Sequence, residues 1–372
     1  MRAGLDFRNT NTLWGSVLAE TLHRCGVQHA VVSPGSRSTP LTVALAAHPG
    51  IEAIPVLDER SGGFFALGLA RRTGRPVALV CTSGTAAANY LPAVIEARES
   101  RVPLLVLTAD RPPELRDCAA GQAIDQQKLF GGYPNFYHEL AVPEARLELL
   151  RYLRQTVAHA CERAVRPAPG FVHLNVPFRD PLAPVEDGVA GGLEEGIDEA
   201  FFAHLAPAEP VAPGIIVWQR PTTARGLIVA GQVPGCHAAE HARAVRRLAE
   251  SLRWPVVADV LSPVRHRAAG WSVPVVDCYD AILRNEKAAG ALLPRTVLCV
   301  GGWPTSKALR QWLERSGAEI VMLDTFPENR DALHGRTRRI PVGVEAFRVD
   351  GQPVADDSYV RAWRQAQAEA DG

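Results

Sequence analysis

Glu59 stands in Leu57-Asp58-Glu59-Arg60-Ser61-Gly62-Gly63-Phe64, a carboxyl group at the opening of an apolar, glycine-rich helix. Three further segments carry polar groups at the spacing of strand-to-helix turns: Ser33-Pro34-Gly35-Ser36-Arg37-Ser38-Thr39-Pro40, Thr82-Ser83-Gly84-Thr85-Ala86-Ala87-Ala88-Asn89 and Thr108-Ala109-Asp110-Arg111-Pro112-Pro113-Glu114-Leu115. In the first, small residues let the backbone approach a ligand, hydroxyls and free amides bind oxyanions, and Arg37 can clamp a carboxylate with two parallel hydrogen bonds. In the second, Gly84 permits close approach and the hydroxyls cap or bind. In the third, paired prolines stiffen a turn that presents Arg111, and beyond it Gln122, to one crevice. Plain structural readings stand beside each: a helix-dipole acid for Glu59, a tight turn for the Arg37 loop, helix capping for 82–89 and a salt bridge for Arg111.

Other chemistries find less support. The Thr82–Asn89 loop lacks the Gly-Lys-Ser/Thr of a nucleotide P-loop, and no G-x-G-x-x-G follows a first strand, which leaves a nicotinamide enzyme as a weak alternative. The seven cysteines (Cys25, Cys81, Cys118, Cys161, Cys236, Cys278 and Cys299) form no C-x-x-C pair. Each reads as a buried free thiol in a reducing compartment, Cys118 included. His23, His29, His159, His237 and His241 show no metal-ligand spacing, and His237 and His241 read as a solvated helix face beside Glu240 and Arg243. No metal ligands are assigned.

The elements that must position these residues are legible as alternating strands and helices. His29–Ser33, Pro76–Cys81, Val102–Thr108 and Gly170–Val176 are continuous apolar runs, as expected of parallel strands buried on both faces. Helical spacing links them: Leu13, Val17, Leu18 and Leu22 after a cap at Asn11 or Thr12, then segments at 86–98 and 145–165. Repeated βα units imply an α/β fold with an open parallel sheet covered by helices on both sides. The chain from Pro181 to Gly226 collects prolines, glycines and acidic residues, which reads as a linker with one short helix at 199–205. A second βα series follows, with strands at 226–231, 255–259, 296–301 and 319–324 and helices at 238–252, 308–315 and 359–372. The expected organisation is a first domain at 1–182, a linker at 183–225, a smaller Rossmann-like domain at 226–345 and a C-terminal helix or tail at 346–372.

Hydrophobic residues are 47% and charged residues 22% of the 372, enough apolar material for large cores. Forty basic residues balance forty acidic ones, which argues against nucleic-acid or membrane-surface binding driven by bulk charge. The N-terminus lacks an apolar signal core and the apolar runs fall short of a membrane span, so the expected location is the cytoplasm.

The four motifs occur in order and at close spacing. As a set they resemble the N-terminal pyrimidine-binding domain of 2-succinyl-5-enolpyruvyl-6-hydroxy-3-cyclohexene-1-carboxylate synthases, thiamine diphosphate (ThDP) enzymes of menaquinone and phylloquinone biosynthesis. The likeness covers about 10–182. A weaker likeness to the middle domain spans about 226–345, through Ala258-Asp259-Val260-Leu261-Ser262 and Ser306-Lys307-Ala308-Leu309-Arg310-Gln311-Trp312. The resemblance implies decarboxylative joining of 2-oxoglutarate to isochorismate. Glu59 would hydrogen-bond N1′ of the aminopyrimidine and make that ring a base, with desolvation by Phe64 or Phe65 raising its pKa. Pro34, Gly35, Thr82 and Ser83 would line the cofactor, and Ser36, Arg37, Arg111, Gln122 and Lys307 the substrate carboxylates. Gly121 and Ala308 depart from the family, which often has Asn and a basic residue there.

The family's diphosphate domain holds Mg2+ through a Gly-Asp-x-Ser segment and an Asn-rich stretch, neither of which is found in these residues. The expected enzyme is therefore a partial chain, inactive alone, completed by a separate diphosphate- and Mg2+-binding domain in a homo-oligomeric assembly. The alternatives are a non-catalytic, carboxylate-binding or regulatory relative that keeps Arg37, Arg111 and Lys307, and another ThDP enzyme of the acetolactate-synthase kind. The arginine-rich loops argue against the latter.

Overall fold

The computed structural model describes residues 4–208, 214–233, 237–326, 328, 330–331, 333–334, 337–352, 354 and 356–371. They form two compact units that meet in sequence at Val211 and Ala212. Cys236 and the linker prolines Pro210 and Pro213 lie outside the described residues.

The first unit runs α1 (Thr10–Arg24), β1 (His29–Val32), α2 (Thr39–Ala47), β2 (Glu52–Pro55), α3 (Glu59–Thr73), β3 (Val77–Cys81), α4 (Leu91–Glu99), β4 (Leu104–Asp110), β5 (Tyr137–Glu139), α5 (Leu147–Val165) and β6 (Phe171–Pro177). The strands form one parallel sheet in the order β2-β1-β3-β4-β6-β5. Side chains alternate across it, as the strand pleat requires. Ala30, Val32, Ala78, Val80, Leu105, Leu107, Val172 and Leu174 face α1, α2 and α5, whereas Val31, Val77, Leu79, Leu104, Val106 and Phe171 pack with residues of α3 and α4. Both faces are covered, which explains why the apolar runs do not alternate in sequence.

The segment expected to be helical over 86–98 divides into a 3-10 helix (Gly84–Tyr90) and then α4. Pro92 has no N–H for an α-helical bond back to residue 88, but its fixed φ suits the first turn of a helix, so the α-helix begins there. The acidic, proline-rich stretch after β6 holds a 3-10 turn at Glu199–Phe202. Its Ala190, Ile197, Phe201 and Phe202 are buried in the first unit's core. Arg24 and Arg154 lie over the rings of Phe202 and Phe201.

The second unit contains β7 (Ile216–Gln219), β8 (Gly226–Ala230), α6 (Ala238–Leu252), β9 (Val256–Ala258), β10 (Val275–Val276), α7 (Tyr279–Arg284), α8 (Glu286–Ala291), β11 (Thr296–Val300), α9 (Lys307–Ser316), β12 (Glu319–Leu323), β13 (Thr337–Ile340), β14 (Phe347–Asp350) and α10 (Asp357–Asp371). Its main sheet is parallel, in the doubly wound order β10-β9-β8-β11-β12-β13, and β14 pairs with β7. The C-terminal helix α10 belongs to this core: Trp363 is fully buried, edge-on to Trp312 at 6.0 Å between ring centroids. Tyr359 packs beside them and donates to the Leu292 carbonyl.

Two sequence expectations are corrected here. His241, read as solvated, is buried, with Nδ1 3.0 Å from Glu345 Oε1; the helix turns that face to the sheet. Cys118, read as a buried thiol, is exposed, because the chain after β4 runs over the surface. Cys278 is half-buried, and the other described cysteines are buried and free.

Candidate active site

Parallel strands place their following loops along one edge of the sheet, and ligands collect at that carboxyl edge. In the first unit β2, β1, β3 and β4 are consecutive neighbours. The loops that follow them carry Glu59, Pro34 to Arg37, Thr82 to Thr85, and Arg111. Neighbouring strands thus bring together four motifs that lie up to about seventy-five residues apart in sequence.

A helix N-terminus needs an acceptor for its free N–H groups. Asp58 supplies it: its Oδ1 accepts from Arg60 N at 2.9 Å and Ser61 N at 3.1 Å. Asp58 also pairs with Arg60, whose guanidinium holds the exposed carboxyl down to about 2. The capping role that would explain Glu59 is therefore taken by its neighbour. Glu59, half-buried, instead lines a cavity of about 400 Å3 together with Thr82, Ser83, Gly84, Thr85, Ala86, Asn89, Gln122, Ala123 and Ile124. Among the described residues no side-chain hydrogen bond holds its carboxylate. Phe64 and Phe65, expected to desolvate it, are 50% and 48% exposed and do not line this cavity.

Two glycines shape the walls. At Gly35 a Cβ would fall 2.4 Å from Thr82 Cβ, so only glycine lets the loop after β1 lie against the loop after β3. Gly84 has φ +85°, a left-handed conformation that costs other residues energy. Across from it, Gln122 also sits at positive φ (+57°), as do Asp117 and Ala119 upstream. Sparsely populated backbone of this kind is held in place by surrounding structure and gathers at binding sites.

Neither Arg37 nor Arg111 lines this cavity, although Arg111 reaches its wall. Arg37 is 8% exposed; its Nη1 donates to the Phe178 carbonyl at 2.9 Å and lies 3.8 Å from the exposed Asp180, while its buried Nε has no partner among the described residues. Arg111 donates to Ser83 Oγ, a residue of the cavity wall. Burial, and next the nearby Arg37 charge, lower the Arg111 pKa. Two cations that destabilise one another, one with a spare buried N–H, make a place where an anion is favoured. Ser36 and Pro34 are exposed in the same loop. Lys307 opens α9 of the second unit, exposed and capped by Ser306, and is not among the cavity residues.

Behind the walls is a polar network that the sequence reading passed over. Asn175 and His173, on the buried strand β6, both contact Thr108 Oγ1, at 2.9 and 2.7 Å. Asn175 Nδ2 donates to Asp110 Oδ2 at 2.8 Å, and Arg116 bridges Asp110 and Glu139 at 3.2 and 3.0 Å. Gln126 joins Asn175 to the Gly84 loop. Burial raises the Asp110 pKa and pushes His173 down to about 3. The available signal was His and Asn inside the apolar run Phe171–Val176, since buried polar groups require partners.

Comparison with known proteins defines the class. Residues 14–129 match the thiamine pyrophosphate enzyme N-terminal TPP binding domain, and residues 209–370 match the middle domain of thiamine pyrophosphate enzymes. Proteins named 2-succinyl-5-enolpyruvyl-6-hydroxy-3-cyclohexene-1-carboxylate synthase are similar over nearly the whole chain. That of Microcystis aeruginosa (strain NIES-843 / IAM M-2473) is 52% identical over 342 residues, covering 92% of this chain and 60% of the relative. That of Gloeothece citriformis (strain PCC 7424) is 49% identical over 374 residues, covering 96% and 63%. That of Synechococcus sp. (strain JA-3-3Ab) is 49% identical, covering 98% and 64%. Over its N-terminal and middle domains the chain belongs to this synthase family. It spans just over three fifths of the length of these curated relatives.

Proposed function

We propose that the first unit binds the aminopyrimidine of ThDP and contributes to the decarboxylative joining of 2-oxoglutarate to isochorismate. On this reading residues 1–182 are the pyrimidine-binding domain and 226–345 the body of the middle domain. The observation that carries it is Glu59: a carboxylate released from helix capping by Asp58, on the wall of a cavity lined by Thr82–Ala86 and Gln122–Ile124. The residues fit a flat heteroaromatic ring. Ala86, Ala123 and Ile124 supply apolar contact, and hydroxyl, amide and carboxyl groups supply a few directed hydrogen bonds.

When bound, the cofactor supplies an electron sink at its thiazolium and an internal base on its pyrimidine. Glu59 holds a proton on the pyrimidine N1′ and so sets which ring nitrogen acts as that base. Gly35 and Gly84 let the backbone come close, while Thr82 and Ser83 shape the edge of the site. Arg37, Arg111 and Gln122, with Ser36, hold and orient substrate carboxylates. A bidentate clamp of this kind fixes the acceptor's orientation as well as its affinity.

The diphosphate and Mg2+ ligands are proposed to come from polypeptide beyond residues 1–372, as the greater length of the relatives supports. Leu57, Phe64 and Phe65, exposed on and beside the helix that carries Glu59, suit a covering partner surface in an oligomer. The free cysteines suit a reducing compartment, and we place the chain in the cytoplasm. Calorimetry tests the proposal with the chain alone and with the remaining portion of a synthase relative added. ThDP binding that needs the added portion, and is weakened by Glu59→Ala, is the expected result. Binding of a dicarboxylate with no response to cofactor under either condition would replace it with the non-catalytic reading.

A further inference from the structure

We propose that Gln126 is the positioning residue for the wall that Gly84 and Gln122 contribute to the cavity lined by Glu59. The inference rests on the ThDP reading for what the wall serves, but not for how the wall is held. Gln126 is not among the residues that line this cavity and is 1% exposed. Its side-chain amide is nonetheless committed on both sides. Oε1 accepts from Gly84 N–H at 2.7 Å. Nε2 donates to Asn175 Oδ1 at 3.0 Å and to the Ala109 carbonyl at 3.2 Å.

The anchor side is rigid. Ala109 and Asn175 belong to β4 and β6, adjacent strands in the middle of the sheet. Asn175 is itself fixed by Thr108 and Asp110. The held side is not intrinsically rigid. Gly84 opens a 3-10 helix, where N–H groups lack helical partners. Its left-handed φ is one of several that glycine adopts at little cost.

Gly84 in turn contacts Gln122. A Cβ on Gly84 would lie 3.3 Å from the Gln122 carbonyl oxygen and 3.4 Å from its Cβ. Both residues line the same cavity as Glu59. The backbone between Gln122 and Gln126 therefore closes a small loop: Gln126 reaches back to grip Gly84, and Gln122 rests on the glycine so held. Without Gln126 the Gly84 N–H becomes a buried donor with no acceptor. Such a group turns toward water when its backbone permits. Turning Gly84 moves the surface under Gln122 and the distance across to Glu59. Gln126 acts through these residues and touches no bound group.

Hydrogen exchange resolved at single amides, on the full chain without added ligand, tests the claim. In Gln126→Leu the Gly84 amide should exchange at least about tenfold faster than in the wild type, the factor expected for one buried hydrogen bond. The Val106 and Leu107 amides of β4 should be unchanged. Gln126→Glu keeps an acceptor for the Gly84 N–H but sets its second oxygen against Asn175 Oδ1 and the Ala109 carbonyl, where only a protonated carboxyl can donate. Gly84 protection, taken relative to the intrinsic exchange rate, should therefore return as the pH falls and that carboxyl protonates. A merely space-filling role would make the leucine variant the better mimic of the two. Unchanged Gly84 exchange in Gln126→Leu with β4 intact overturns the proposal. If that variant fails to fold, Gly84 exchange in a folded Gln126→Glu that stays fast even at a pH where the new carboxyl is protonated overturns it instead. Failure of the wild type to bind ThDP when complemented would sink the cofactor reading separately, since the exchange comparison uses no cofactor.

Discussion

At the scale of single residues, the division of labour between Asp58 and Glu59 decides how the site is read. Adjacent acids at a helix start are equivalent in sequence, because either could meet the helix dipole. The structure separates them by giving both capping hydrogen bonds to Asp58. Arg37 is the second such case. Its burial, with an Nε that has no partner among the described residues, supports the proposal that it binds a carboxylate. Arg37→Ala is expected to weaken carboxylate binding by about 1.5–3 kcal/mol, roughly ten- to a hundredfold. Titration with 2-oxoglutarate and with isochorismate checks this, and unaltered affinity for both would remove Arg37 from the site.

At the scale of elements, the sheet does the assembling and two strands carry the sensitive groups. The Gly84 turn after β3 is held at φ +85°. Gly84→Ala should cost about 1–2 kcal/mol, the price of a left-handed conformation for an L residue, measured as a shift in denaturant midpoint. The β6 residue His173 is buried and held down to about 3, against an ordinary value of 6.5. Its proton therefore favours the unfolded chain. The contribution of neutral His173 to stability is complete above about pH 6.5 and erodes as pH falls toward 3, by up to about 1.4 kcal/mol per pH unit. Asp110, raised by burial, works in the opposite sense. Comparing wild type with His173→Gln cancels that term. The variant should lose less stability between pH 6.5 and 4, and parallel curves would contradict the assignment.

The same scale shows what could be read from sequence. β1, β3, β4 and β6 announced themselves as apolar runs because helices cover both faces. β2 is an edge strand with exposed ends, and β5, β7 and β10 are two to four residues long, so none leaves a comparable run. The loop residues were legible because glycine, arginine and hydroxyl groups cluster at strand ends. Gln126 was not, since its importance lies in partners forty-two and forty-nine residues away. A periodic or local pattern carries no trace of such a contact.

At the scale of the molecule, each unit has its own buried layers. The helix α10 completes the second with Trp363, Tyr359 and Trp312. Trp363→Ala should destabilise that unit by about 3–5 kcal/mol. In a thermal scan the transition reported by second-unit amides should fall, while that of the first unit stays in place. Equal loss in both would mean that the chain unfolds as one body.

The most direct test of the central claim is the rate of C2-proton exchange in ThDP bound by the complemented chain. Wild type should accelerate that exchange, and Glu59→Gln should lower it by about a hundredfold or more, the range of positioned proton transfer, with the fold and the Gly84 amide unchanged. Equal exchange rates in the two proteins would show that Glu59 does not activate the cofactor.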